Sequence, residues 1–112
     1  ISSQYKDEAN TLHVFTLAPQ LETTLRASLV NSEGSPGFGI DAGLAQKLLL
    51  KTGEQMEALA QLGHFPILIC PRELRLAFRR LVDQSLPNLI VMAFSEVGHG
   101  TKVKAHGMVK LD

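Results

Sequence analysis

The sequence predicts an α/β fold, a small mixed sheet with covering helices in the order strand-helix-helix-strand-helix-strand-strand. Two apolar runs, residues 67–69 and 89–94, lack the alternation of a half-exposed strand and therefore indicate strands covered on both faces. An amphipathic helical pattern of about a dozen residues separates them. Together the three segments predict one βαβ unit with parallel strands and a right-handed crossover.

Composition limits the possible functions. The 112 residues predict a linker or entry segment over residues 1–10 and a single α/β domain over 11–112. Eleven basic and eleven acidic residues cancel, so no global field favours nucleic acid. The apolar runs are far shorter than the ~20 residues of a transmembrane helix. The single cysteine, Cys70, indicates a reducing compartment, and the start at Ile1 suggests a piece of a longer protein.

The first half of the chain predicts one strand and two helices. Residues 11–17 are β-branched and aromatic, which favours a strand, and Pro19 suits the first turn of a helix that continues to Val30. Gly, Ser and Pro over residues 31–39 predict a flexible loop. Asp41 is the predicted N-cap of a longer helix that Gly63 ends. The predicted buried stripe of that helix is Leu44, Leu48, Met56, Leu59 and Ala60.

The second half predicts the third helix and the last strand. The helix begins at Pro71, and its predicted inward face consists of Leu74, Ala77, Phe78, Leu81 and Val82. Residues 101–111 alternate, which predicts an edge strand with one wet face. Its lysines discourage edge-to-edge pairing. The predicted inward side is Val103, Ala105 and Val109, and the predicted outward side is Lys102, Lys104, His106 and Lys110.

Cys70 is the one residue placed for nucleophilic chemistry. It lies between a buried strand and a helix N-terminus, where helix partial charge can stabilise a thiolate. A nucleophile also needs a base, and His64 precedes the strand and is expected at its opposite end. We therefore interpret Cys70 as a small residue at an N-cap position, with a thiol enzyme as the least favoured function.

Neither a metal site nor a phosphate-binding loop is predicted. The four histidines, His13, His64, His99 and His106, have no spacing typical of zinc ligands. The glycines of residues 34–39 lack a following Gly-Lys-Ser/Thr and do not follow a buried strand. No acid pair is spaced for general acid–base catalysis. The sequence thus predicts no catalytic, cofactor-binding or metal-binding residue.

Charge patterning on exposed faces identifies candidate partner-binding residues. Arg72, Arg75 and Arg79 share one face of the third helix, and arginine is enriched at protein interfaces. The candidates on the last strand are Lys102, Lys104 and His106. Charge reversal at Arg75 and Arg79 is expected to weaken partner capture and to leave the fold intact.

Four segments carry recognisable motifs. Residues 17–22 read Leu-Ala-Pro-Gln-Leu-Glu, a long helical pattern runs through residues 44–63, and residues 66–71 read Pro-Ile-Leu-Ile-Cys-Pro before Leu-Arg and Arg-Arg-Leu. Residues 86–89 read Leu-Pro-Asn-Leu, with Ser-Glu-Val following at 95–97. In this order they resemble the C-terminal cytoplasmic subdomain of the type III secretion export-gate family, large inner-membrane proteins of flagellar and injectisome export machines. The departures are Cys70 where serine is common and Gly98-His99-Gly100 where the family has a Pro-Pro-Asp turn.

The resemblance implies a non-catalytic docking and gating role without a cofactor, and it favours the injectisome branch. The implied partners are chaperone–substrate complexes, other export proteins and copies of the full-length protein in a nonameric ring. The fragment would lie on the cytoplasmic face of the bacterial inner membrane, with membrane contact only through segments outside this chain. The alternative is a small-ligand-binding regulatory domain, whose site would lie near Cys70, Phe94 and Ser95, at the carboxyl ends of the parallel strands.

Overall fold

The computed structural model describes residues 6, 9–32 and 34–111, so most of the predicted linker over residues 1–10 lies outside the described residues. The elements are β1 (Thr11–Leu17), α1 (Pro19–Ala27), β2 (Leu29–Ser32), β3 (Ser35–Phe38), α2 (Ala42–Gln61), β4 (Ile67–Cys70), α3 (Arg72–Val82), β5 (Ile90–Ala93) and β6 (Lys102–Val109). A short 3₁₀ turn, Phe94–Glu96, follows β5. Within this part of the chain no helix combines the length and apolarity that a membrane span requires.

The main sheet has four strands in the order β5-β4-β1-β6. Strands β4 and β5 pair in parallel around α3, which confirms the α/β class and the predicted parallel βαβ unit. The prediction of a mixed sheet is wrong for these four strands, because β1 also pairs in parallel with both β4 and β6. The reason is the connection after β5, which returns the chain to the amino end of the sheet before β6 begins.

Both faces of the central strands are buried, as their continuous apolar sequence predicts. On one face Phe15, Leu68 and Val91 pack with leucines of all three helices. On the other face a smaller cluster forms, against which Val97 of the β5–β6 connection packs. The buried members of this second cluster are Leu12, Val14, Ile67, Ile69 and Met92. The alternation of β1 therefore divides its side chains between two cores.

A β-hairpin replaces the predicted end of the first helix and the predicted flexible loop. Helix α1 ends at Ala27, and β2 pairs with β3 in antiparallel register. Gly34 takes a positive φ of 79° in the turn between them. The hairpin docks on α3, where Arg80 donates a hydrogen bond to the Pro36 carbonyl (2.8 Å) and Phe38 meets Phe78 edge to face. This tertiary contact is invisible in the local Gly/Ser/Pro composition.

Helix α2 has the predicted ends. The Asp41 carboxylate accepts a hydrogen bond from the Leu44 backbone N–H (2.7 Å), and Gly63 has a φ of 84° after the last turn. The predicted stripe is fully buried at Leu48 and Leu59, whereas Ala60 is exposed. The predicted stripe did not include Thr52, which is buried and whose hydroxyl donates a hydrogen bond to the Leu48 carbonyl (2.7 Å).

Strand β6 lies at the edge of the sheet, as predicted, but its inward side is not as predicted. Val103 and Ala105 are exposed, and only Val109 of the predicted inward residues is buried. A bulge interrupts the strand, since Val14 pairs with Ala105 whereas Thr16 pairs with Met108. The extra residue changes which side chains face the core beyond that point.

Candidate functional site

Two of the predicted partner-binding arginines are structural. Nε of Arg75 lies 2.7 Å from Oε1 of Glu96, and both side chains are about two-thirds buried, with 33% and 29% exposed. The contact is an ion pair without an aligned N–H···O bond. Arg79 donates hydrogen bonds to the carbonyls of Leu89 and Leu86 and lies 3.3 Å from the Asp83 carboxylate.

These contacts correct the expectation that charge reversal at Arg75 and Arg79 leaves the fold intact. A carboxylate at either position would face another carboxylate at short range. At position 79 it would also face the backbone carbonyls that the guanidinium now satisfies. Both arginines tie α3 to the chain on either side of β5. Their replacement would therefore lower the stability of the fold, and an effect on partner binding could not be separated from that loss.

The remaining arginine candidate, Arg72, is exposed in the first turn of α3. Beside it Glu73 accepts a hydrogen bond from Nε of Arg26 on α1 (3.1 Å). Hydrogen bonding from its own backbone N–H, and then from Arg26, lowers the pKa of the Glu73 carboxyl. This exposed patch lies on α3 and α1, whereas the other candidates lie on β6. The six candidate residues therefore remain divided between α3 and β6.

Lys102 and Lys104 are exposed on β6 opposite Thr11 and His13 of β1. In the sheet as the structure describes it, β6 pairs with β1 alone and so forms one edge. Its carboxyl half borders two open grooves of about 420 and 460 Å³ that share Met108 and Lys110. The first is lined by Lys51, Glu54, Gln55, Gly107, Met108 and Lys110. The second is lined by Ala18, Pro19, Gln20, Leu21, Thr24, Met108, Lys110 and Leu111.

We define the edge surface as β6 with the two grooves at Met108 and Lys110; the sequence predicted the edge strand but not the grooves. In the sequence, Gly107 indicated an irregularity at this place, because a glycine inside a strand pattern marks a bulge or a close backbone approach. In the structure both occur, since a Cβ on Gly107 would clash with the amide of Gln55 on α2. The bulge and this approach set where β6 meets α2.

Three histidines converge near the amino end of the sheet. His13 and His64 stack with ring centroids 3.8 Å apart and planes 5° apart. Nδ1 of His13 lies 2.8 Å from Nε2 of His106, and one ligand nitrogen from each of the three rings lies within 4.8 Å of the others. Partial desolvation lowers the pKa of His106, and the neighbouring His13, His64 and Lys104 lower it further.

Sequence spacing did not predict this histidine cluster because its members come from three distant segments. His13 is on β1, His106 is on β6, and His64 immediately precedes β4. Since β1 lies between β4 and β6, the sheet topology alone brings the three segments side by side. Of the candidate partner-binding residues, His106 is thus a member of the cluster and Lys104 is its neighbour.

Cys70 does not have the properties of a nucleophile. It is the last residue of β4, and its side chain is fully buried. Desolvation raises the pKa of its thiol to about 12, so the thiol is protonated at neutral pH. The N-cap interpretation is also wrong, because the N-cap of α3 is Pro71. Burial in the helix-covered core accounts for a small apolar side chain here.

The carboxyl ends of β4 and β5, where a small ligand was the alternative expectation, are occupied by side chains of the protein itself. Glu96 accepts a hydrogen bond from the Ala93 backbone N–H (2.8 Å) and pairs with Arg75 across this edge. Phe94 and Ser95 are exposed beside it.

Comparison with known proteins supports the resemblance found in the sequence. The chain is 30% identical to the flagellar biosynthesis protein FlhA of Escherichia coli over 93% of its length, and it spans only 14% of that protein. Chlamydia pneumoniae CdsV, solved alone and with CdsO, superposes with a TM-score of 0.80 at 16% identity, covering 97% of this chain and 31% of the CdsV chain solved alone. Nonameric EPEC SctV-C gives 0.78 at 19% identity, covering 96% and 32%.

These likenesses confirm the fold, and the relatives confirm the predicted kinship with the export-gate proteins. The chain covers less than a third of the CdsV and SctV-C chains, so it corresponds to one part of those longer chains. A family model, described as the FHIPEP family, matches residues 1–102. The chain belongs to the FHIPEP family of flagellar and type III export proteins.

Proposed function

We propose that this chain is a non-catalytic docking and gating subdomain of a type III protein export gate. The observation that carries the proposal is the edge surface, where an exposed strand of eight residues borders two grooves. A sheet edge offers unpaired backbone groups to an extended segment of a partner, and flanking grooves accept its side chains. Gating would follow from movement of the subdomain against neighbouring parts of the full-length protein.

The chemistry of the edge surface suits partner segments that are both apolar and acidic. Met108 is 39% exposed at the meeting point of the grooves, and Val103 is 39% exposed on the same strand. Lys102 and Lys104 flank Val103, and Lys110 follows two residues after Met108, just beyond the strand. Apolar contacts supply affinity, and the lysines select and orient acidic segments. Arg72 is a separate, weaker candidate contact on α3.

The partners that fit this function are chaperone–substrate complexes and other export apparatus proteins. The related CdsV has been solved in complex with CdsO, which supports binding of a second protein by members of the family. The related SctV-C is nonameric, which supports assembly of the full-length protein into a homo-oligomeric ring. In that arrangement the chain lies on the cytoplasmic side of the inner membrane.

A non-catalytic role agrees with the state of Cys70. The only thiol of the chain is buried and has a pKa of about 12, so it does not supply an accessible thiolate. Arg75 and Arg79 of α3 are engaged by Glu96, Asp83 and backbone carbonyls, which leaves them unavailable to bind an anion. These observations favour binding over chemistry.

The proposal is tested by measuring affinity for purified chaperone–substrate complexes of the same export machine. Met108→Asp and Lys110→Glu should each weaken binding by about tenfold or more, because they place negative charge at the centre of the edge surface. Biolayer interferometry with the complexes immobilised gives the dissociation constants.

The matched control is Leu76→Asp, which places the same charge on an exposed leucine of α3 (56% exposed). It should bind as the unaltered chain does. If all three variants fold by circular dichroism and bind with the affinity of the unaltered chain, the edge surface is removed from the proposal. A loss confined to Arg72→Glu would move the docking site to α3 and equally contradict it.

A further inference from the structure

The histidine cluster is built by the sheet rather than by a local motif. Residue pairing places His13 of β1 opposite Lys104 of β6, so His106 lies two residues further along on the same face. His64 follows Gly63, the glycine just beyond the end of α2, and leads into β4 on the other side of β1. Three imidazoles thereby meet from three neighbouring segments of the described chain.

The distances are those of a ligand set that is nearly assembled. One nitrogen from each imidazole lies within 4.8 Å of the other two, and the His13–His106 contact is 2.8 Å. Zinc–nitrogen bonds of about 2.0–2.1 Å in a tetrahedral site separate ligand nitrogens by roughly 3.3 Å. His13 and His106 are therefore already close enough to share one ion, and His64 has to reorient to join them.

We propose that His13, His64 and His106 bind one divalent transition-metal ion of the zinc class. Imidazole is a preferred ligand of Zn²⁺, Ni²⁺, Cu²⁺ and Co²⁺, whereas Mg²⁺ and Ca²⁺ prefer oxygen. Three protein nitrogens leave a fourth position of a tetrahedral zinc site to water or another ligand. The exposure of His106 gives solvent access to the site.

One ring has to turn for the ion to bind. Each imidazole lone pair lies in the plane of its ring, and the His13 and His64 rings are stacked with planes only 5° apart. Rotation of the His64 side chain out of this stack directs its nitrogen towards the other two. His64 is half-buried and lies outside the regular strands and helices.

The C-terminal end of α2 favours a cation at this point, and the positive charge of the neighbouring Lys104 opposes it. The His64 backbone N–H donates to the Leu59 carbonyl (3.0 Å), which places the histidine at the C-terminal end of α2. Carbonyl groups at a helix C-terminus carry partial negative charge and stabilise nearby positive charge. A bound ion would join β6 to β1 and to the entry of β4, and would hold the edge strand in its register.

The test is a zinc titration of the untagged 112-residue chain. Competition with a chromophoric zinc indicator should show one equivalent bound, and added Zn²⁺ should raise the midpoint of thermal unfolding. His13→Gln, His64→Gln and His106→Gln should each lower the zinc affinity by at least about tenfold. The matched control is His99→Gln, the one histidine outside the cluster, which should bind zinc within about twofold of the unaltered chain.

X-ray absorption of the zinc-loaded chain gives a second measurement that needs no variant. Three imidazole nitrogens at about 2.0 Å support the site. No saturable binding, or affinity that His106→Gln leaves unchanged while circular dichroism shows a folded protein, would overturn it. A spectrum with fewer than three imidazoles would overturn it as well.

Discussion

A single carboxylate oxygen, Oε1 of Glu96, contacts both the Arg75 guanidinium (2.7 Å) and the Ala93 backbone N–H (2.8 Å). The first contact ties α3 to the β5–β6 connection, and the second fixes the start of the 3₁₀ turn after β5. Val97, the next residue, packs against the smaller core. Glu96 therefore sets the path by which the chain leaves β5.

Glu96→Gln should destabilise the protein by about 0.5–1 kcal/mol, because it removes a partly exposed ion pair and keeps an acceptor for Ala93. Glu96→Ala should cost about 1–2 kcal/mol, since it also leaves the Ala93 N–H without its partner. Urea unfolding measures both. Arg72→Gln, an exposed arginine on the same helix, is the control and should stay within about 0.5 kcal/mol. Equal stability of the two Glu96 variants would show that the backbone contact contributes nothing.

Two glycines at α2 should respond to alanine with opposite signs. Gly63 has a φ of 84°, and nothing lies within 4 Å of a Cβ built there, so Gly63→Ala should cost about 1 kcal/mol through backbone strain alone. Gly53 is inside the helix, and its Cβ would meet Leu86 at an ordinary 3.8 Å. Gly53→Ala should therefore stabilise the protein by about 0.5–1 kcal/mol. Thermal unfolding gives both signs, and a loss at Gly53 would contradict the packing described there.

Gly107→Ala should destabilise the protein through its clash with Gln55 and not through its own backbone. The clashing atoms belong to the end of a flexible side chain, which limits the expected cost to about 1 kcal/mol. In a Gln55→Ala background the same substitution should cost much less. A double-mutant cycle in urea measures this coupling, and additive effects would mean that Gln55 does not determine the need for glycine.

Cys70 should not react with a thiol reagent in the folded protein. Its thiol is buried and its pKa is about 12, against 9.0 for an unperturbed cysteine thiol. Labelling should therefore stay slow up to about pH 9 and become rapid once guanidinium chloride unfolds the chain. Because the folded pKa is the higher one, the unfolded state loses this proton first, and stability falls as pH rises between 9.0 and 12. Rapid labelling of the native chain at neutral pH would contradict the burial.

The hydrophobic periodicity of the sequence was sufficient to predict the helices and strands whose burial is continuous or strongly one-sided. The inward face of α3 and the apolar runs of β4 and β5 are where the pattern predicts them, because hydrophobic burial leaves its period in the chain. The ends of α2 at Asp41 and Gly63 were also predictable from the sequence. Asp41 accepts a hydrogen bond from a backbone N–H of the first turn, and Gly63 adopts the positive φ that follows the last turn.

The β2–β3 hairpin and the parallel direction of β6 could not be predicted from the sequence. The hairpin depends on Arg80 and Phe78 of α3, which are far away in sequence. The direction of β6 depends on how the connection after β5 returns across the molecule. Neither contact leaves a local signal in the residues that it orders.

The sequence by itself determined the family, the α/β class and the exposed charges of α3 and β6. Only the tertiary structure decided which of those charges are available. Arg75 and Arg79 form ion pairs and backbone contacts, whereas Lys102 and Lys104 remain at the exposed edge. It also brought His13, His64 and His106 together, because strand order in a sheet is set by long-range pairing, which spacing along the chain does not encode.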